Sequence, residues 1–245
     1  MSSGPRAHDP AARLHRLVLG GLQVLLAVEL VALVWRGLWM NVALVSAVMA
    51  LSMSMLVLRG RLPVRLPYMF QILVVAFVFG SLILGEVRQF YVRFWWWDIA
   101  LHFSSGLLLG MLGFMLIYLL NEDDRVHLNM RPGFMALFAF CFALALGGLW
   151  EIIEFAVDEI FGATMQKPMF DDPSGLTDTM IDLIVDALGA LIVSLYGLRY
   201  MRMGKPSFID RWIDRVARDN PEWFRRRPFQ PRPNPAGPGS ERRAE

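Results

Sequence analysis

The sequence predicts an all-α protein, a polytopic membrane bundle of six transmembrane helices with both termini in the cytoplasm. Three observations lead to this fold class. Of the 245 residues, 56% are hydrophobic and only 19% are charged, whereas soluble domains average about 25% charged residues. Six apolar stretches are each long enough to cross about 30 Å of hydrocarbon, which takes about 20 helical residues. The basic residues also gather in alternate loops, as the positive-inside rule requires.

The six predicted spans follow one another with short connections. They cover residues 14–35, 38–58, 68–91, 96–120, 133–160 and 177–199. The first follows basic residues, as a signal peptide would, but its apolar run continues to Trp35 without a small-residue cleavage site, so we expect an uncleaved anchor. In the fourth span, Gly106, Gly110 and Gly113 predict close packing against a neighbouring helix.

Four segments make up the predicted domain organisation. A flexible N-terminal arm covers residues 1–13, and the six-helix transmembrane domain covers 14–200. Residues 206–219 place apolar side chains on one helical face opposite Arg and Asp, which is typical of an amphipathic helix lying on an anionic membrane surface. The Pro- and Arg-rich tail, 220–245, has the composition of a disordered segment.

Orientation follows from the distribution of the basic residues. Twenty of them fall in the N-terminal arm, the tail and two loops that would share one side of the membrane, whereas four fall on the other side: Arg36, Arg88, Arg93 and Lys167. The crowded side is therefore predicted to be the cytoplasm. Tryptophans at positions 35, 39 and 95–97 would then form an aromatic belt at the outer interface.

The apolar region carries more acidic than basic residues, which is unusual for a membrane-embedded segment. Residues 17–198 hold nine basic and 15 acidic side chains, although the whole chain has a net charge of +2. An ionised carboxylate in hydrocarbon costs several kcal/mol. These acids therefore require a polar environment, a proton or a cation.

The intramembrane acids are regularly spaced and fall in the predicted outer half of the bilayer. Asp98 and His102 are spaced i,i+4, Glu151 and Glu154 are spaced i,i+3, and the sixth span carries Asp178, Asp182 and Asp186 at i,i+4,i+8. Each set lies on one face of its helix. At 1.5 Å per residue, the deepest acid of the sixth span lies about 13 Å below the start of that helix.

Convergent carboxylates with one imidazole predict a hydrophilic pocket that binds a divalent metal. Oxygen-rich ligation with a single histidine suits Mg, Mn, Fe(II) or Zn, and the single cysteine, Cys141, excludes a Cys-rich site. The candidate ligands are His102, Glu151 and Asp182, joined by Asp98 and Asp178. Glu154 or Asp186 would act as the general base.

Simpler interpretations stay open for some of these acids. Asp98 and Asp178 lie near predicted helix starts, where a carboxylate commonly serves as a cap or a partner of the helix dipole. Glu29 has no motif around it, so a hydrogen-bonded structural role is an equal alternative. Glu86 and Asp158 are placed to reach interfacial water or to pair with Arg88 and Arg93.

Three blocks of the sequence resemble the YjdF-type family of bacterial inner-membrane proteins and, more remotely, the VanZ-like family associated with glycopeptide-antibiotic resistance. The blocks are Asp98-Ile-Ala-Leu-His102-Phe103 followed by Gly106, Trp150-Glu151-Ile-Ile-Glu154-Phe155, and Asp178-Thr-Met-Ile-Asp182 ending in Leu188-Gly189-Ala190. The resemblance spans residues 95–195 and implies a multi-pass protein of the bacterial inner membrane. It implies no particular reaction.

Three classes of function remain open at this stage. The first is a metal-dependent enzyme that acts on a lipid or lipid-linked headgroup, since a bound metal would polarise a phosphoryl or acyl oxygen. The second is a transporter in which the acids carry protons or a divalent cation, and the third is a non-catalytic protein that binds a lipid or a partner. The expected partner is the lipid bilayer, no nucleic-acid motif is present, and a homo-oligomer is compatible with the sequence.

Overall fold

The computed structural model describes residues 10–57, 67–122, 130–169 and 171–203, and it is built from helices. Seven α-helices and one π-helical segment occur in these residues: α1 (Pro10–Trp35), α2 (Trp39–Val57), α3 (Tyr68–Val78), the π-helical segment (Phe79–Val87), α4 (Phe90–Arg93), α5 (Trp97–Glu122), α6 (Pro132–Phe161) and α7 (Leu176–Met203). Within the described ranges, the only β-type pairing is one isolated bridge between Met169 and Asp172. The predicted all-α class is therefore confirmed.

Five helical stretches in the described residues are long and apolar enough to cross a membrane. They are Arg13–Trp35, Tyr68–Val87, Trp97–Asn121, Pro132–Phe161 and Leu176–Met203. The second predicted span also forms a helix, but its apolar part, Trp39–Ser54, is shorter than these five. The observed helices support a multi-pass membrane protein.

The third predicted span, residues 68–91, is not one continuous α-helix. The α-helical hydrogen bonding changes at Phe79 to a π-helical segment that ends at Val87, and Gln89 then takes a left-handed conformation with φ of 57° before α4. Two glycines of the π-helical segment lie against aromatic side chains of the residues that follow it. Gly80 accepts a hydrogen bond from the Trp97 indole at 3.3 Å through its carbonyl, and a Cβ on Gly85 would overlap the ring of Tyr91.

The helices pack in two groups. The first four elements pack around an apolar core. Its buried side chains come from α1, α2 and the π-helical segment: Leu26, Leu33, Val45, Val48 and Ile83. Helices α5, α6 and α7 pack against one another in the second group. This second group carries all of the acids predicted for the pocket.

Helices α5 and α7 cross at two glycines. A Cβ on Gly106 would overlap the backbone of Asp186, and a Cβ on Gly189 would overlap the carbonyl of Phe103. Gly110 faces Ala190 one turn further along α5, as the small-residue pattern predicts. This close approach brings Asp186 against the face of α5 that carries His102.

Helix α7 is polar on its buried face and apolar on its exposed face. Asp178, Asp182 and Asp186 are each only 1% exposed, whereas large apolar side chains cover the opposite side: Leu176, Met180, Ile184 and Leu188. This is the arrangement expected for a helix that turns its apolar side to lipid and its carboxylates to the interior of the bundle. Several other predictions fall outside the described residues: most of the N-terminal arm, the amphipathic helix 206–219 and the tail 220–245.

Candidate metal centre

The acids predicted for the pocket come together at one end of the α5–α7 group. Helix α5 contributes Asp98 and His102 at its beginning, α6 contributes side chains near its end, and α7 contributes side chains from its first three turns. The resulting set of buried or half-buried ionisable groups is Asp98, His102, Glu151, Glu154, Asp178, Asp182 and Asp186. The three helices alternate in direction, which brings the end of α6 level with the starts of its neighbours.

His102 lies at the centre of this group, and carboxylates approach both of its ring nitrogens. Its Nε2 is 3.9 Å from Asp98 Oδ1 and 3.8 Å from Asp182 Oδ2. Its Nδ1 is 3.2 Å from Asp186 Oδ2 and 3.8 Å from Glu151 Oε1. The imidazole therefore has two distinct edges, one toward Asp98 and Asp182 and the other toward Asp186.

Asp98, His102 and Asp182 form a group that could hold a metal ion. One ligand atom from each of these side chains lies within 4.8 Å of the other two. An ion bonded at about 2.1 Å in tetrahedral geometry holds its ligand atoms about 3.4 Å apart, so these side chains would have to move closer together by about 1 Å to bind it. Glu151 approaches the opposite edge of His102, and Asp178 lies nearer the end of the helix bundle.

Asp186 is held in place by contacts from both neighbouring helices. The Ser105 hydroxyl donates a hydrogen bond to Asp186 Oδ1, and His102 meets its other oxygen. A Cβ on Gly147 of α6 would lie 2.6 Å from an Asp186 carboxylate oxygen, so this glycine leaves the room that the carboxylate occupies. With its proton on Nδ1, His102 donates to Asp186 and directs the Nε2 lone pair at Asp98 and Asp182.

Two buried carboxylate oxygens in the cluster lack a hydrogen-bond donor within the described part of the chain. These atoms are Oδ1 of Asp178 and Oδ1 of Asp182, whereas Glu151 has the Thr179 hydroxyl as a hydrogen-bond partner. A buried oxygen without a partner is costly, because the hydrogen bonds it made to water have no replacement. A bound cation would supply that replacement, and the donor set therefore fits a hard divalent metal.

Lys167 lies at the mouth of the cluster, although it was not among the site residues predicted from the sequence. Its ammonium forms an ion pair with Asp98 and lies 4.2 Å from the centroid of the Tyr91 ring. Its backbone N–H donates to Asp178 Oδ2 at 2.7 Å. The feature of the sequence that could have identified Lys167 is its position in the loop between α6 and α7, two helices that carry acids of the cluster.

The surroundings of Lys167 keep it charged. Burial by itself lowers the pKa of Lys167, but the charge and hydrogen bond of Asp98, together with the charges of Asp178 and Glu154, outweigh that effect and raise the pKa above its ordinary value. Burial also raises the pKa of Tyr91 above its ordinary value, against the lowering effect of its hydrogen bond with Ser81. A neutral phenol and a charged ammonium therefore cover the outer side of Asp98.

The loop that carries Lys167 is tied to both of the helices it connects. Asp158 accepts backbone N–H groups of Met165 and Gln166 at 2.8 and 2.9 Å, and the Gln166 side chain donates to the Thr179 hydroxyl at 2.7 Å. Asp158 thus has a structural role, which differs from the expected contact with interfacial water. These contacts fix Lys167 over the site.

The capping role considered for Asp178 belongs to Asp172. The carboxylate of Asp172 accepts hydrogen bonds from the N–H and hydroxyl groups of Ser174 and Thr177 around the start of α7. These hydrogen bonds lower the pKa of Asp172 below its ordinary range. Asp178 is thereby free to face the loop and the cluster.

Two further acids have partners that define their roles. Glu154 accepts a hydrogen bond from the Trp150 indole one turn earlier on α6, at 2.8 Å. Glu29 lies outside the cluster and pairs with Arg88 at 2.5 Å, which supports the structural alternative for this residue. Arg88 therefore pairs with Glu29 on α1 and not with Glu86.

The chain is 34% identical over 112 residues to a protein of Thermotoga maritima named "Uncharacterized protein", a match that covers 46% of this chain and about half, 53%, of that relative. No solved structure matches the chain. The VanZ-like resemblance stays a prediction.

A family model described as "Predicted membrane protein (DUF2238)" matches residues 15–203. Of the five candidate spans in the described residues, that range contains four completely and the first from residue 15 onward. It also contains every residue of the candidate metal centre. The chain therefore belongs to the DUF2238 family of predicted membrane proteins.

Proposed function

We propose that this protein binds a divalent cation at Asp98, His102 and Asp182 and uses it in a reaction on a lipid or lipid-linked headgroup. The observation that carries the proposal is the convergence of these three ligand atoms from two helices, each within 4.8 Å of the others. Three protein ligands leave coordination positions open for water or substrate, as in catalytic rather than structural metal sites. When bound, the metal would polarise a phosphoryl or acyl oxygen and lower the pKa of a bound water. Mg, Mn, Fe(II) and Zn all suit this donor set.

The other residues of the cluster have distinct proposed roles. Asp186 orients His102, because a carboxylate on Nδ1 fixes the tautomer that offers Nε2 as a ligand. Glu154 is the better candidate for the general base, since Asp186 is engaged by His102 and Ser105. Glu151 and Asp178 supply further negative charge around the ion. Asp178 would serve as an additional ligand, whereas Glu151 lies at the opposite edge of His102.

The helix packing favours a reaction at one end of the bundle over the passage of an ion through the bundle. Beyond Asp186, the interface of α5, α6 and α7 is filled by Phe114, Ala139 and Ala190, each at most 1% exposed. A Cβ on Gly197 would overlap the Phe114 ring, so the packing is tight. A transporter would need this interface to open.

Proteoliposomes distinguish the three classes of function. We expect purified protein in vesicles of bacterial phospholipids to release a headgroup or transfer an acyl or phosphoryl group only when a divalent metal is present, as measured by lipid mass spectrometry. Asp182→Asn should abolish this turnover, and Asp171→Asn, on the exposed loop, should not. Metal flux without lipid turnover would favour the transporter, and metal binding with neither would favour a non-catalytic binder.

The proposal places six spans in a bacterial inner membrane, with both termini in the cytoplasm and the metal centre facing outward. Support comes from the excess of basic residues on the predicted inner side. A periplasm-specific reporter fused after Lys167 should be active, and one fused after Arg202 should be inactive. The reverse pattern would place the metal centre on the cytoplasmic side.

A further inference from the structure

A second cleft lies between α1, the π-helical segment and α4, and it shares no lining residue with the metal centre. It has a volume of about 360 Å³, within the range of small-molecule sites. Apolar side chains, including Leu25, Phe79 and Leu84, form part of its lining. Its polar residues are Glu29, Arg88 and Arg93.

The polar part of the cleft carries a net positive charge. One guanidinium nitrogen of Arg88 is held by Glu29 at 2.5 Å, while the Arg88 side chain remains 56% exposed. No carboxylate of the described residues lies within ion-pair distance of Arg93. Two guanidinium groups against one carboxylate leave one positive charge, which complements a phosphodiester in both charge and hydrogen-bond geometry.

The depth of the cleft corresponds to the lipid headgroup region. Glu29 lies six residues before the end of α1 at Trp35, or about 9 Å along the helix. Arg93 lies two residues before Trp95. Trp35 and Trp95 are both largely exposed, and exposed tryptophans at helix ends are typical of the membrane–water interface.

The apolar lining comes partly from the π-helical segment. Phe79, Ile83 and Leu84 all belong to that segment and face the cleft. Such segments are rare and frequently occur at functional sites. An apolar surface directly beside a pair of arginines suits a molecule with a phosphate at one end and hydrocarbon at the other.

We propose that this cleft binds one anionic phospholipid. Arg93 and the open edge of Arg88 hold the phosphate, and Leu25, Phe79 and Leu84 contact the acyl chain. Free phosphate would use only the arginines and leave the apolar lining without a partner. The assignment does not depend on the metal centre or on its proposed reaction.

The test measures lipid retention by the purified full-length protein. Native mass spectrometry in detergent would follow titration with phosphatidylglycerol or phosphatidylcholine. We expect one tightly retained phosphatidylglycerol and about a tenfold weaker retention of the zwitterionic lipid. Arg93→Gln should lower phosphatidylglycerol retention about tenfold, because a charge-assisted hydrogen bond is lost. Arg36→Gln, at the same end of the bundle but outside the cleft, should retain the lipid like wild type.

A second variant tests the apolar half of the site. Leu84→Trp should fill the cleft and lower retention while leaving both arginines in place. Unchanged retention in Arg93→Gln would overturn the proposal, as would an equal loss in Arg36→Gln, which would indicate a general effect of charge. Displacement of the lipid by millimolar inorganic phosphate, or normal retention in Leu84→Trp, would assign the cleft to phosphate alone.

Discussion

Asp182→Asn is expected to lower the affinity of the purified protein for divalent cations at least about 100-fold. The substitution keeps the size of the side chain but removes the charge of a ligand, and even the loss of a residue that only supports a ligand costs about 10- to 100-fold. Binding would be measured by metal analysis after dialysis and by titration with Mg²⁺, Mn²⁺, Fe²⁺ and Zn²⁺.

The same substitution should have a different effect on the metal-free protein. Asp182 is almost completely buried, and one of its oxygens accepts no hydrogen bond from the described residues. Removing a buried charge relieves its desolvation cost, so the melting temperature without metal should be unchanged or higher. Asp171→Asn, on the exposed loop, should bind metal like wild type. Wild-type affinity in Asp182→Asn would contradict the proposed ligand set.

Lys167→Met is expected to raise the divalent-cation affinity about tenfold. The Lys167 ammonium pairs with Asp98, so a metal that binds Asp98 must compete with it. Removing this cation also makes the centre more negative, which strengthens the attraction for a metal. A tenfold change corresponds to about 1.4 kcal/mol.

Thermal denaturation with and without metal checks this prediction. Without metal, Lys167→Met should melt below wild type because Asp98 loses its counter-charge, and the stabilisation by a saturating metal should be larger than in wild type. Arg36→Met removes an exposed cation at the same end of the bundle and should change neither value. A weaker metal affinity in Lys167→Met would show that the lysine supports the site and does not compete with the metal.

Most of the fold followed from local properties of the sequence. Hydrophobic runs gave the positions of the helices to within a few residues, because the length needed to cross a bilayer is set by its thickness. The third span was less predictable. Its change to π-helical geometry at Phe79 and the turn at Gln89 are accompanied by contacts of Gly80 with Trp97 and of Gly85 with Tyr91, which a hydrophobic run does not indicate.

The candidate site was predictable in its membership but not in its geometry. Helical periodicity placed Asp178, Asp182 and Asp186 on one face, and the cost of burying them predicted that they meet a polar partner. Periodicity could not indicate which edge of His102 each carboxylate approaches, because that depends on the α5–α7 crossing at Gly106 and Gly189. Nor could it place Lys167 over Asp98, since the path of a loop is set by long-range hydrogen bonds such as those of Asp158.

By itself, the sequence determined that this is a helical membrane protein with an acidic cluster at one end, because hydrocarbon thickness and the cost of buried charge act on any chain of this composition. The tertiary structure alone decided which carboxylates approach each edge of His102. Close helix packing at Gly106, Gly147 and Gly189 sets Asp186 against one edge of His102 and leaves the other edge to Asp98 and Asp182. Such packing depends on contacts between residues far apart in the chain, such as His102 and Asp186, and no local pattern encodes the distances between them.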